Sequence, residues 1–124
     1  MIDVEYPEMR AEIVGAVRSL SDPEHQRRVW VRREMPHPNY HDYFDLNIHI
    51  LYDDTTVFAD LSGAIGAYLR DEGEARALGA LKDALEALFD KHGLKLTDEE
   101  YIGKPEWTAV VESARDALRV LTAD

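Results

Sequence analysis

The amino-acid sequence predicts an α+β fold, a small antiparallel sheet of about three strands with helices packed on one face, in the order α-β-β-β-α-α. Three observations lead there. Arg27-Arg28-Val29-Trp30-Val31-Arg32-Arg33 has the β-branched and aromatic centre of a strand. Phe44, Leu46, Ile48, Ile50 and Tyr52 alternate with Asp45, Asn47 and His49, which separates an apolar face from a polar one. Leucine stripes at helical spacing, bounded by capping residues, then occupy the second half of the chain.

The first helix is expected over residues 7–20. Pro7 suits a first helical position, where its missing N–H costs nothing. Glu8 suits the positive end of the dipole. Met9, Ile13, Ala16, Val17 and Leu20 recur at helical spacing until Ser21-Asp22-Pro23 ends the run, because the residue before a proline avoids the α region.

Strand one is placed over residues 26–33, and two registers are open. Valines inward would leave Arg28, Trp30 and Arg32 outside; Trp30 inward would make the arginines flank it through their aliphatic stems. The first is favoured, which leaves Trp30 partly exposed. Residues 34–42 carry Pro36, Pro38 and Asn39 without periodicity and read as a loop, with His37, Tyr40 and His41 in it. Strand two covers residues 43–52, and the Asp53-Asp54-Thr55 turn leads into a third strand over 56–59.

Residues 61–69, with Gly63 and Gly66, read as a short strand or irregular segment. Asp71 and Glu74 form a cap signal for a helix carrying Leu78, Leu81, Leu85, Leu88 and Phe89, which stops at Lys91-His92-Gly93. Thr97-Asp98-Glu99-Glu100 signals a further single turn. Pro105 then opens a last helix whose stripe is Trp107, Val110, Val111, Ala114, Leu118 and Leu121, with Trp107 and Leu85 in the core.

At 124 residues the chain fits one domain, 1–124, with no linker, repeat or low-complexity segment. A formal net charge of −11 disfavours nucleic acid, since it repels phosphate backbones. The absence of cysteine excludes disulfides, thiol catalysis and cysteine-based metal sites. The acidic N-terminus does not read as a signal peptide, and no apolar run approaches the roughly 20 residues that span a bilayer, so a cytoplasmic protein without membrane contact is expected.

Asp45, Asn47 and His49 on one strand face are the first chemical candidate. Their spacing of about 6.5 to 7 Å is too wide for three short side chains to hold one metal. His37, His41 or Asp42 from the loop could complete an acid–base site, whereas the bland reading is a solvated sheet face paired with Arg28 and Arg32. His37-x-x-x-His41 has the spacing of a helical zinc motif, but Pro36 and Pro38 forbid the helix. From Asp71 to Glu100, 9 acids face 4 bases, a surface that keeps helices soluble and can steer basic partners. No metal, cofactor or catalytic residue is assigned.

The opening Met1-Ile2-Asp3-Val4-Glu5-Tyr6-Pro7, the Arg28-Val29-Trp30 segment, Leu46-Asn47-Ile48-His49-Ile50-Leu51 with Asp53-Asp54-Thr55, and Pro105-Glu106-Trp107 resemble a family of short uncharacterised actinobacterial proteins. The resemblance spans nearly the whole chain and implies no activity, cofactor or catalytic residue. The functional expectation is a non-enzymatic protein-interaction module, immunity- or antitoxin-like being one form and a homodimer another. Its expected binding residues are Arg28, Trp30, Arg32, His37, His41, Asp45, Asn47 and His49. The alternative is a small hydrolase or ligand-binding domain using His49 and Asp45.

Overall fold

A computed structural model describes residues 4–123. The Met1-Ile2-Asp3 part of the opening lies outside them. The described chain is helical and contains no strand or sheet, so the α+β expectation is corrected to an all-α packing. Helix α1 (Pro7–Leu20) is followed by α2 (Pro23–His25), which runs on as a π-helix (Gln26–Val31). Helix α3 (Phe44–His49) likewise continues as a π-helix (Ile50–Asp54). Then come α4 (Glu72–His92), α5 (Asp98–Ile102) and α6 (Trp107–Leu121).

The helices that the sequence announces form for the reasons it gives. In α1, Ile13, Ala16, Val17 and Leu20 are buried on one stripe. The Asp71 carboxylate caps α4 by accepting from the Glu74 N–H at 3.0 Å, and Gly93 ends it at φ 79°, where a side chain would be strained. A capping box starts α5: Thr97 Oγ1 accepts from the Glu100 N–H at 3.2 Å and the Glu100 carboxylate from the Thr97 N–H at 2.9 Å. On α6 the buried stripe is Trp107, Val110, Val111, Ala114, Ala117 and Leu121, with Leu118 half-buried, so the helix opens at Trp107 rather than at Pro105.

All three expected strands fail, each for a definable reason. At helical spacing Gln26, Val29 and Trp30 are i, i+3 and i+4, and all three are buried; the polar Gln26 hides that stripe from a hydrophobicity reading. Phe44, Ile48 and Leu51 are i, i+4 and i+7, so residues 43–52 satisfy a helical period as well as an alternating one. Docking against α1 selects the helix, which buries Phe44 and Leu51. Val57 and Phe58 are consecutive and both buried, which a strand in a two-faced sheet cannot achieve and a turn can. The 61–69 segment is irregular, with one isolated bridge between Ile65 and Leu69.

Both π segments show the wider i→i−5 bonding: the Arg32 N–H donates to the Arg27 carbonyl at 3.0 Å and the Thr55 N–H to the Ile50 carbonyl at 3.1 Å. Two residues beyond the end of each comes a residue in the left-handed region, Arg33 at φ 60° and Thr56 at φ 54°. Neither is a glycine, so each carries backbone strain.

Helix α6 packs chiefly on α4 and α1, and a single hydrophobic cluster runs through all the major helices. One end is an aromatic nest in which Phe44 lies 5.0 Å from Tyr101, 5.2 Å from Trp107 and 5.9 Å from both Trp30 and Phe89. The other end is tied by charge. Arg10 of α1 grips the fully buried Glu74 of α4 with two bonds of 2.7 and 2.8 Å, and Arg70 adds a third side-chain bond at 2.6 Å. The same guanidinium groups donate to the carbonyls of Val120, Leu121 and Ala123, which neutralises the negative end of α6.

Candidate interaction surface

The eight candidate residues do not form one face. Trp30 is 2% exposed, which corrects the expectation that it lies partly exposed beside the arginines. Its indole N–H donates to the Asp42 carboxylate at 2.9 Å, and its ring meets Trp107 edge-on at 6.1 Å. Arg28 and Arg32 stay on the surface, loosely paired with Glu24 at 3.5 Å and Glu34 at 3.7 Å. His37 and His41 are exposed in the loop, and the His37 ring packs edge-on against Tyr40 at 5.7 Å.

Asn47 parts from its expected neighbours because i and i+2 on a helix lie on opposite sides. It is 2% exposed, and its amide donates to Asp42 at 2.8 Å and to the Tyr43 carbonyl at 2.9 Å. Asp45 and His49, four residues apart, do share a face, with the imidazole 3.5 Å from Asp45 and 2.6 Å from Asp53. The hydrogen bond to Asp53, and then the Asp45 charge, raise the His49 pKa from its ordinary value; burial opposes them weakly. These carboxylates favour the imidazolium, which makes His49 a poorer general base and a better cation.

Asp42 is the residue that sequence reasoning undervalued. It is 5% exposed and collects the Trp30 indole, the Asn47 amide and the His25 imidazole, the last at 2.5 Å. The available signal was a carboxylate directly before the aromatic pair Tyr43-Phe44, since such a residue enters the interior only if donors meet it. Its three donors come from two helical segments, and it fastens the 34–42 loop across them.

A groove of about 450 Å³ opens beside α3, between the end of α4 and α5. Phe44, Phe89, Leu96 and Tyr101 give it an aromatic and aliphatic floor. Leu94, 75% exposed, stands at its mouth, with Asp45, His49, Lys95 and Asp98 around the rim. Asp98 is anchored by the Phe44 N–H at 3.2 Å. Burial pushes its carboxyl up from the ordinary value, the Phe44 N–H and Arg33 pull it back, and Asp45 and Asp42 add to the rise. Asp98 also belongs to a neighbouring cleft of about 510 Å³ lined by Trp30, Val31, Arg33, Tyr43, Thr97 and Glu99.

Among the described residues no cluster of three or more histidine or carboxylate side chains has metal-binding geometry. No helix among them is long and apolar enough to cross a membrane. A family model described as a domain of unknown function, DUF7945, matches residues 4–124. No curated protein and no solved structure matches the chain.

Proposed function

For a chain that belongs to the DUF7945 family, a family of unknown function, we propose a non-enzymatic protein-interaction module that receives a basic, amphipathic segment of a partner protein. The observation that carries this reading is Leu94: a large aliphatic side chain held 75% exposed over an aromatic groove. Water-exposed leucine beside an open apolar floor is stabilised when another apolar side chain covers both. The sign of the partner follows from charge. On the rim Asp45 and Asp98 stand against Lys95 and His49, so the sign is set by Asp53 and Asp54 after α3 and by the whole chain's −11. Such a field speeds the approach of a cationic partner and repels an acidic one.

In this proposal the chain is a single domain acting in an actinobacterial cytoplasm. An immunity- or antitoxin-like role fits an acidic surface that captures a basic protein, and self-association into a homodimer would cover the same groove. A hydrolase built on His49 and Asp45 is less well supported, because the surrounding carboxylates hold the imidazole toward its protonated form.

The test uses two designed helical peptides of equal length, one of leucine and lysine and one of leucine and glutamate, titrated into the isotopically labelled protein. The lysine peptide should bind, shift the amides of Leu94 to Tyr101, and weaken as salt is added. Leu94→Ser and Asp45→Lys should each reduce its affinity about tenfold. Equal binding of both peptides, or shifts confined to another face, would reject the reading.

A further inference from the structure

The cleft beside the groove holds opposite charges that face each other without touching. Arg33 and the pair Asp98 and Glu99 line the same space of about 510 Å³, yet Arg33 forms no ion pair with either carboxylate. Arg28 and Arg32, its neighbours on the same turn, do have carboxylate partners. The Arg33 charge nevertheless reaches Asp98, whose carboxyl it helps to hold ionised.

Two features hold the Arg33 backbone and the Asp98 carboxyl on opposite sides of the cleft. Arg33 sits at φ 60°, a position where glycine or asparagine would be less strained, and the following Glu34 N–H closes back on the Arg28 carbonyl at 3.0 Å. Asp98 is anchored from the other side by the Phe44 N–H. Between them the cleft is lined by the buried Trp30 and by Tyr43, which is 40% exposed. An exposed aromatic ring such as Tyr43 can take an ammonium group on its face, and an arginine fork favours a carboxylate.

The geometry points to a binding site for a small zwitterion of the α-amino-acid type, its carboxylate on Arg33 and its ammonium on Asp98 and Glu99 beside Tyr43. A ligand carrying both charges bridges the gap that the side chains leave open, and a ligand with only one leaves one side of the cleft unanswered. This site adjoins the protein-docking groove and shares Asp98 with it, while Arg33, Trp30, Tyr43 and Glu99 line the cleft alone.

The experiment is a titration followed through the Trp30 indole and the amides of Arg33 and Thr97 to Glu99. The probes are glycine, L-leucine, L-phenylalanine and L-arginine, with N-acetyl-L-phenylalanine and L-phenylalaninamide as forms lacking one charge. At least one free amino acid should shift these signals by about 10 mM, and each blocked form should bind at least about tenfold more weakly than L-phenylalanine or not at all. Arg33→Asn suits the left-handed backbone while removing the guanidinium, and Asp98→Asn keeps an acceptor for the Phe44 N–H. Each should abolish the response with the helical circular dichroism unchanged. No shift with any of the four free amino acids would overturn the proposal. So would blocked forms that bind as well as the free one, or an Arg33→Asn protein that still responds in full.

Discussion

Replacing Glu74 by glutamine tests whether the buried charge cluster holds α1, α4 and the end of α6 together. The carboxylate accepts four bonds: 2.7 and 2.8 Å from Arg10, 2.8 Å from the Arg70 N–H and 2.6 Å from Arg70 Nε. Glutamine keeps the shape but turns one acceptor into a donor facing donors, and it leaves the 2% exposed Arg10 without its counter-charge. Bonds to a charged group are worth about 1.5 to 3 kcal/mol each, but they are not independent, so the observed cost of breaking a buried pair, about 3 to 5 kcal/mol, is the better guide. Against a total stability of about 5 to 15 kcal/mol for a domain, that loss should move the urea midpoint far down. Replacing both partners, as in Arg10→Met with Glu74→Leu, should recover most of it, because no uncompensated charge remains. The pH dependence has a definite sign. Burial alone would raise the Glu74 pKa, but the bonds from Arg10 and Arg70 outweigh it and the carboxyl lies below its ordinary 4.5. Its stabilisation is therefore complete above pH 4.5 and is lost as the pH falls through the lower folded value. Urea melts followed by circular dichroism measure both effects. A Glu74→Gln cost under about 1 kcal/mol would show that the cluster is not what joins these helices.

Other outcomes follow from the same packing. Trp107→Ala should cost about 3 to 5 kcal/mol in urea melts, since it empties the centre of the aromatic nest and leaves Gln26 without the indole donor at 2.9 Å. Thr56→Gly should raise the melting midpoint by the equivalent of about 1 kcal/mol, because glycine relieves the strain at φ 54°; a destabilised variant in thermal melts would contradict it. The His92 bond, reinforced by the backbone N–H and Lys91, lowers the Glu106 carboxyl to about 2, so its contribution to stability persists above pH 4.5 and disappears between there and about pH 2. Carbon-detected titration of Glu106 should show that depressed value in the native protein and a higher one, still below the ordinary value, in His92→Ala, where the backbone N–H and Lys91 remain.

Where residues carried both a long period and a chemical end signal, the sequence alone determined the structure. Proline and Glu8 opening α1, Asp71 and Gly93 bounding α4, and the Thr97–Glu100 box all act within one turn of backbone, so no distant contact is needed to specify them. The leucine stripe of α4 and the apolar stripe of α6 are long enough for the helical period to exclude the alternating one. Residues 26–33 and 43–52 are too short for that. Their β-branched and aromatic composition favours a strand locally, but a strand needs a partner for its backbone, and here α1, α5 and α6 offer side chains to pack on instead. Tertiary burial therefore chose helices, with a wider turn in each.

The same choice rearranged the candidate site. Asp45 and His49 stayed together because both periods bring residues four apart to one face, whereas Asn47 and Trp30 turned inward to meet Asp42. The groove under Leu94 and the facing charges of Arg33 and Asp98 join segments about forty or more residues apart. No local pattern encodes such a meeting, which arises only when the apolar faces of the helices are buried against one another.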